Sequence, residues 1–547
     1  MDHQSETDAG GEHGESHRFF GAARLVAGLT MLSRILGLIR DMVIIPIGGS
    51  VLADRFWTAF AVPNLFRRLF GEGAMSAAFV PVFTEVAESQ GWGRARLVLA
   101  NVAGALAVVL AGLIALIAIG LWVAWAVWPG DWARLLLLQW TAIMLPFMFT
   151  VCMLALGSAA LNCRGHFAYP ALSPIILNVV LIIAAAWVAP ALAKTDVNQF
   201  FVIACSLILA GVVQLLGVVL LLRRAGLTLF AGWPGLAMLP ETRKVGSLMA
   251  PMFIPLGILQ FSAFADRLIA LIFTAPSPES SLPLASGVVR CIYVANRMFQ
   301  LPLGVLAISI ATVVFPLFSR FAARDDKPAL TGAVNRALRL SLFLGIPAGV
   351  ALIVLAEPVV KLLFERGQFT AFSTQRAAII LQMYCLGMWA YFCNHILLRA
   401  FFAIKQPRGP MILACSLAGL NLVLVLAGIF TPLKGAAVGL ATAITSSINA
   451  VVLTYWLRRR WGQIGARRII SSLGRIALGT AAMAGVLWAS LRWLPGLAGW
   501  AFSTLTIAPS QAREATVIAM TVILGSATYL LISYALRCEE LAELRRR

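Results

Sequence analysis

From about Gly21 onward the chain reads as long apolar runs separated by short polar stretches. The runs fall near 23–47, 56–87, 97–126, 134–162, 170–190, 199–222, 248–274, 287–319, 335–356, 373–403, 410–430, 434–457, 473–495 and 513–536. A helix needs about 20 apolar residues to cross a bilayer, so the pattern predicts roughly fourteen transmembrane helices. An open sheet edge cannot be satisfied in lipid, so the expected fold is an all-α polytopic membrane protein. Landmarks recur along the chain. Pro174 and Pro410 lie 236 residues apart, as do Arg223-Arg224 and Arg459-Arg460, and Pro81 and Pro316 lie 235 apart. Two six-helix lobes in the same orientation are therefore expected, residues 21–228 and 229–462, with a substrate site between the halves as in repeat-built transporters. Two extra helices follow within 463–536. Residues 1–20 read as a disordered cytoplasmic tail and 537–547 as a basic one.

Composition strengthens this picture. Of 547 residues, 60% are hydrophobic and 12% charged, and the mean hydropathy is +0.89. A soluble chain of this length could not hide that much apolar surface. The net charge of +20 does not point to nucleic acid, because the basic residues sit in short loops between spans. With the N-terminus inside, the cytoplasmic loops collect Arg94, Arg96, Arg164, Arg223, Arg224, Arg320, Arg324 and Arg458 to Arg460. The periplasmic loops hold far fewer, so both termini are expected in the cytoplasm. Eight cysteines contain no CxxC pair and imply neither a disulfide framework nor a zinc site. His3, His13 and His17 belong to the polar tail. No P-loop, HExxH or GxSxG is present, so transport rather than catalysis is expected. The drive is then an ion gradient, the membrane potential or substrate supply.

Four spans depart from the apolar pattern. The first holds Ser33-Arg34, Arg40 and Asp41; the second holds Asn64, Arg67, Arg68 and Glu72; the seventh holds Asp266-Arg267 and the eighth Asn296-Arg297. A charge at a helix centre costs about 2.5–3.5 kcal/mol on insertion scales, so several together imply partners or a hydrated cavity. Ser33 and Arg40 are seven apart and share a face, whereas Arg34 lies about 120° away on a straight helix. Gly37 between them allows a bend that turns both inward. Arg68 and Glu72 are spaced as an i,i+4 pair, and Asp41 balances either Arg40 or Arg34. The remaining arginine surplus suits a diphosphate, since guanidinium forks hold phosphate oxygens in pairs. The alternative is that these arginines snorkel to the interface or bond helix carbonyls. Asp266 is the strongest candidate for a cation ligand, with an ion pair to a nearby arginine as the competing role.

At these residues the sequence resembles the MurJ (MviN) family of lipid II flippases. The resemblance rests on Ser33-Arg34-Ile35-Leu36-Gly37, Arg40-Asp41, Asp54, Pro63-Asn64-Leu65-Phe66-Arg67-Arg68, Gly71-Glu72-Gly73-Ala74 and Phe79-Val80-Pro81. Pro174, Asn178, Gln214, Asn296-Arg297 and Leu363-Phe364-Glu365-Arg366-Gly367 extend it along the chain. It implies a fold of the multidrug/oligosaccharidyl-lipid/polysaccharide exporter superfamily, with two lobes around a cationic cavity and two C-terminal helices lining a groove for a lipid tail. It implies movement of lipid II from the cytoplasmic to the periplasmic leaflet of the inner membrane by alternating access. The substrate residues fall on Ser33, Arg34, Arg40, Arg67 and Arg297, with acidic partners Asp41, Asp54 and Glu72. A sodium site would include Asp266 and Asn421, and coupling runs through sodium or the membrane potential. The implied partners are lipid II, membrane lipids and other cell-wall synthesis proteins. The sequence departs from the family pattern at Asn296, where an aspartate often stands, and at Val425, which offers no carboxylate one turn beyond Asn421. The alternatives are a flippase for another undecaprenyl-diphosphate-linked oligosaccharide and a cation-coupled drug exporter.

Overall fold

The computed structural model describes residues 5–127, 131–230, 238–275, 280–463, 465–503 and 510–545. The α-helices, in chain order, begin with α1 (Ser5–Ile44), α2 (Ser50–Phe66), α3 (Met75–Val127), α4 (Trp132–Cys163), α5 (Ala168–Ile183), α6 (Ala189–Leu192), α7 (Asp196–Arg224), α8 (Pro240–Ile272) and α9 (Val288–Pro302). They continue with α10 (Ile308–Ala323), α11 (Lys327–Phe364), α12 (Ala371–Cys385), α13 (Met388–Ala403), α14 (Arg408–Ile429), α15 (Ala436–Trp461), α16 (Ala466–Ser503), α17 (Ser510–Ala535) and α18 (Glu539–Arg545). Three π-helical turns, Arg67–Ala74, Ala184–Val188 and Leu303–Ala307, carry α2, α5 and α9 into the helices that follow. No strand forms among the described residues; Thr274 and Leu284 make one isolated bridge. The chain is all-α, as the apolar pattern requires. Because α1 begins at Ser5, the helix includes residues assigned above to the polar tail.

Among the described residues ten helices are long and apolar enough to cross a membrane, or eleven when α12 and α13, bent by 45°, count as one broken span. Segments 23–47 and 248–274 fall outside this set, as does the first part of 56–87. The expected count of about fourteen is therefore not reached on length and composition among the described residues. Large apolar side chains lie open on the outside, Trp122 at 64%, Leu192 at 74% and Trp488 at 66%. Water would penalise each of them, whereas acyl chains do not. The protein is a multi-pass membrane protein.

The chain divides into two compact units, Met1–Phe264 and Ala265–Arg547, with the boundary inside α8. In the first unit α4 packs on α2, α3 and α7, while α1 lies along α5. An aromatic cluster closes one end of α2: the rings of Phe56 and Phe200 stack 4.4 Å apart, and Trp140 meets both edge-on. Gly48, at φ +74°, admits the Phe200 ring where a Cβ would stand only 2.4 Å away. In the second unit α11 is central, packing on α10, α12, α13 and α16. Phe318, Leu338, Phe343, Ile396 and Leu453 form part of its core.

The two C-terminal spans are bound into this second unit. Helices α16 and α17 pack on each other and on α11, and the Tyr529 hydroxyl donates to the Phe343 carbonyl at 2.7 Å. Helix α18 then docks by charge. Arg339 of α11, 5% exposed, forms ion pairs with Glu539 at 2.8 Å and Glu540 at 2.9 Å, and Ser472 of α16 donates to Glu540 at 2.7 Å. The segment read as a basic tail thus uses its acidic residues to hold the chain end.

Two pairs of backbone irregularities share one spacing. The π turn that starts at Arg67 is matched, 236 residues on, by the one that starts at Leu303. The break at Gly91 (φ 80°, ψ 166°) inside α3 corresponds by the same step to Lys327, the first residue of α11. Neither coincidence follows from hydrophobic periodicity.

Candidate functional site

In the first unit the charged residues of α1 gather against α2 and α5. Arg40 is 8% exposed and Asp41 fully buried. The Arg40 Nε and Nη2 both donate to Asp41 Oδ1, at 3.0 and 2.6 Å. Of the two balances open in the sequence, Asp41 therefore serves Arg40. The third contact comes from a distant segment: Arg40 Nη1 donates to Asn178 Oδ1 at 3.2 Å, and Asn178 Nδ2 donates to the Ser33 carbonyl at 3.0 Å. The Phe60 ring of α2 lies 5.8 Å from the guanidinium carbon. A cation held by a carboxylate, an amide and an aromatic face meets its desolvation cost from three helices.

Arg34 contrasts with it. The residue is half-buried and makes no hydrogen bond, ion pair or ring contact among the described residues. Helix α1 runs through Gly37 without interruption from Ser5 to Ile44. Asp54, 1% exposed, and Arg55, 8% exposed, are buried side by side in α2. Arg67 opens the π turn after α2 and donates from Nε to Asn64 Oδ1 at 3.3 Å, while Asn64 donates to the Phe60 carbonyl. Asn64 thus ties Arg67 to the residue whose ring faces Arg40. The side chain of Glu72 lies outside the described residues, so the expected Arg68–Glu72 pair does too.

In the second unit Arg297 is half-buried on α9. Its neighbour Asn296 accepts from Gln300 at 2.6 Å. Asp266 of α8 is 7% exposed and takes both its hydrogen bonds from one group, Asn421 Nδ2 of α14, at 2.9 and 3.1 Å. It forms no ion pair among the described residues; Arg267 instead faces the Tyr293 ring at 5.7 Å. Asn421 Oδ1 is buried without a partner. A buried carboxylate beside an orphaned amide oxygen is a hard, oxygen-rich donor pair lacking a counter-charge, and it fits a monovalent cation or a proton. Val425, one turn further and fully buried, adds no donor. No group of three or more histidine, cysteine, aspartate or glutamate ligands occurs among the described residues.

Sequence reasoning missed the role of Asn178. It stands as the lone amide in the apolar run 170–190, and that isolation was the available signal.

Comparison with known proteins comes from three directions. The family model described as "Lipid II flippase MurJ" matches residues 45–507. A probable lipid II flippase MurJ of Rhizobium meliloti is 32% identical, covering 95% of this chain and 94% of its own. One from Bdellovibrio bacteriovorus is 30% identical over 98% and 99%. A solved lipid II flippase MurJ in an inward closed conformation superposes with a TM-score of 0.73 at 22% identity, covering 94% of this chain and 98% of that one. An inward-facing multidrug resistance transporter of the MATE family gives 0.62 at 14% identity, over 81% and 98%. The last two likenesses speak to fold.

Proposed function

Because the chain belongs to the MurJ family of lipid II flippases, we propose that it carries lipid II from the cytoplasmic to the periplasmic leaflet of the bacterial inner membrane by alternating access. The observation that carries the proposal, beside family membership, is the arginine zone of α1 and α2. Arg40 is braced by three helices, and Arg34, on the same helix, spends none of its donors on a described residue. A diphosphate asks for several guanidinium forks in a place screened from bulk water. Ser33, Arg34, Arg40, Arg67 and Arg297 would bind it, with Asp41, Asp54 and Glu72 holding the cations in place. The cargo crosses without chemical change.

In this reading residues 21–228 and 229–462 act as two six-helix lobes, and α16 and α17 give the polyprenyl tail an apolar path. Keeping the tail out of water matters, since each exposed CH₂ costs about 0.8 kcal/mol. Both termini face the cytoplasm. Asp266 and Asn421 would hold the coupling cation, sodium or a proton, whose charge the buried carboxylate lacks. Other cell-wall synthesis proteins would meet it at the membrane.

The test is growth of a bacterium depleted of its own lipid II flippase. The wild-type chain restores growth. Arg40→Lys, Arg67→Lys and Arg297→Lys keep the charge but lose the fork, and each restores it poorly while accumulating in the membrane. A wild-type chain that accumulates without restoring growth overturns the lipid II assignment. Full rescue by all three lysine variants overturns the diphosphate site.

A further inference from the structure

The arginine at the centre of this site is held by a residue to which nothing assigns a role. The guanidinium of Arg40 meets Asp41 along one edge, through Nε and Nη2. At its other end Nη1 donates to Asn178 Oδ1, 138 residues away in sequence. The opposite end of the same amide donates to the backbone carbonyl of Ser33. Asn178 therefore reads α1 at two points seven residues apart, on the stripe where Ser33 and Arg40 share a face. A long helical side chain leans back toward the helix N-terminus, which carries the Arg40 head toward Ser33 and lets one amide span the gap. The amide can lie only one way round. Turned over, it would set Nδ2 against the guanidinium N–H groups and Oδ1 against a carbonyl oxygen.

Asn178 is itself 6% exposed and stands on a helix that α7 braces. The Tyr169 hydroxyl of α5 donates to the Gln214 carbonyl, and the Gln214 side-chain amide donates back to the Ser173 carbonyl. Both contacts lie within nine residues of Asn178 and tie its helix to α7.

We propose that Asn178 is a positioning residue for the substrate diphosphate, acting through Arg40. Resting on the lipid II reading of Arg40, this assigns to α5 the task of locking the guanidinium in its receptive rotamer. A flexible arginine surrenders its rotamer freedom when it binds; one already held does not. Removal of Asn178 weakens headgroup binding without removing any group that touches the headgroup.

The experiment is a double-mutant cycle on the purified full-length protein, with lipid II as the probe. Asn178→Ala weakens lipid II binding about tenfold, in line with the loss of a hydrogen bond to a charged group. Arg40→Lys weakens it as well, and the double variant binds no worse than Arg40→Lys alone, because there is no guanidinium left to position. Asn178→Leu, which keeps the branching at Cγ without the polar atoms, gives the same result should the alanine variant not accumulate. Wild-type binding by the Asn178 variants where Arg40→Lys does weaken binding overturns the proposal, as does an Asn178 loss that adds in full to that of Arg40→Lys. A second readout needs no substrate: phenylglyoxal modification of Arg40, followed by mass spectrometry, runs several-fold faster in the Asn178 variants. If that rate rises while neither Arg40 nor Asn178 variants alter lipid II binding, the positioning role stands and the lipid II reading falls. An unchanged rate shows that Asn178 does not hold Arg40.

Discussion

Arg34 and Arg40 sit six residues apart on one helix in opposite circumstances, and the difference predicts opposite phenotypes. Arg40 neutralises the fully buried Asp41 and touches α2 and α5. Arg40→Ala should therefore lower the thermal unfolding temperature of the purified protein as well as its function. Breaking a buried pair costs about 3–5 kcal/mol. Arg34 pairs with no described residue. Arg34→Ala should impair growth rescue while leaving the unfolding temperature within a degree or two of wild type; a large drop would mean that Arg34 is structural. Asp266 offers a third residue-scale test. Its carboxylate is buried with one neutral amide as partner. If sodium supplies the missing charge, sodium at 100 times its Kd stabilises the wild type by about 2.7 kcal/mol and leaves Asp266→Asn unchanged. Stabilisation that follows pH and ignores sodium would assign the site to a proton.

At the scale of elements, the docking of α18 changes what a C-terminal truncation means. Arg339 is buried, and its carboxylate partners Glu539 and Glu540 come from the first turn of α18. Deleting residues 470–547 would leave that cation in the core of the second unit without a counter-charge. Such a deletion should destabilise the unit itself, so the contribution of α16 and α17 to a lipid-tail path is better probed with them in place. The milder Glu539→Gln/Glu540→Gln pair should lower the unfolding temperature measurably. Acid should act in the same direction. The Arg339 hydrogen bond, followed by its charge, holds the Glu539 carboxyl below the usual carboxylate range. Its contribution is fully present above the ordinary value of about 4.3 and is lost as pH falls through the lowered one. The wild type should therefore lose more stability than the double glutamine variant as pH is taken below about 4. Equal losses would show that the latch does not titrate.

At the scale of the whole molecule, the helical, membrane-embedded character was legible because spanning length and apolarity are local properties. The pair Arg40–Asp41 was legible only as one of two balances, Arg34 being the other. Contacts that join remote segments were not. Asn178 meets Arg40 across 138 residues and Asp266 meets Asn421 across 155, and no period or spacing links them. The resemblance alone brought Asp266 and Asn421 together. The acidic pair of α18 was hidden for another reason: three terminal arginines dominate its composition. Orientation remains a prediction of loop charge. Single cysteines introduced at Arg94 and Arg459, in a background without the eight native cysteines, should resist an impermeant reagent added from outside, whereas one at Leu282 should react. The reverse pattern would invert the molecule.

The two π turns at Arg67–Ala74 and Leu303–Ala307 have a consequence for how this chain tolerates change in length. A π turn accommodates one more residue than the α turn it replaces. Removing one residue there would let the segment relax to an ordinary helix while the residues beyond keep their facing, whereas the same deletion in a regular stretch re-aims everything beyond it by about 100°. Pro81 and the face of α3 that follow Ala74, and Pro316 on α10 after Ala307, would then keep their neighbours. A one-residue deletion is thus absorbed in either turn, but placed elsewhere in α3 or α10 it works as a screw, turning half a helix while removing almost no mass.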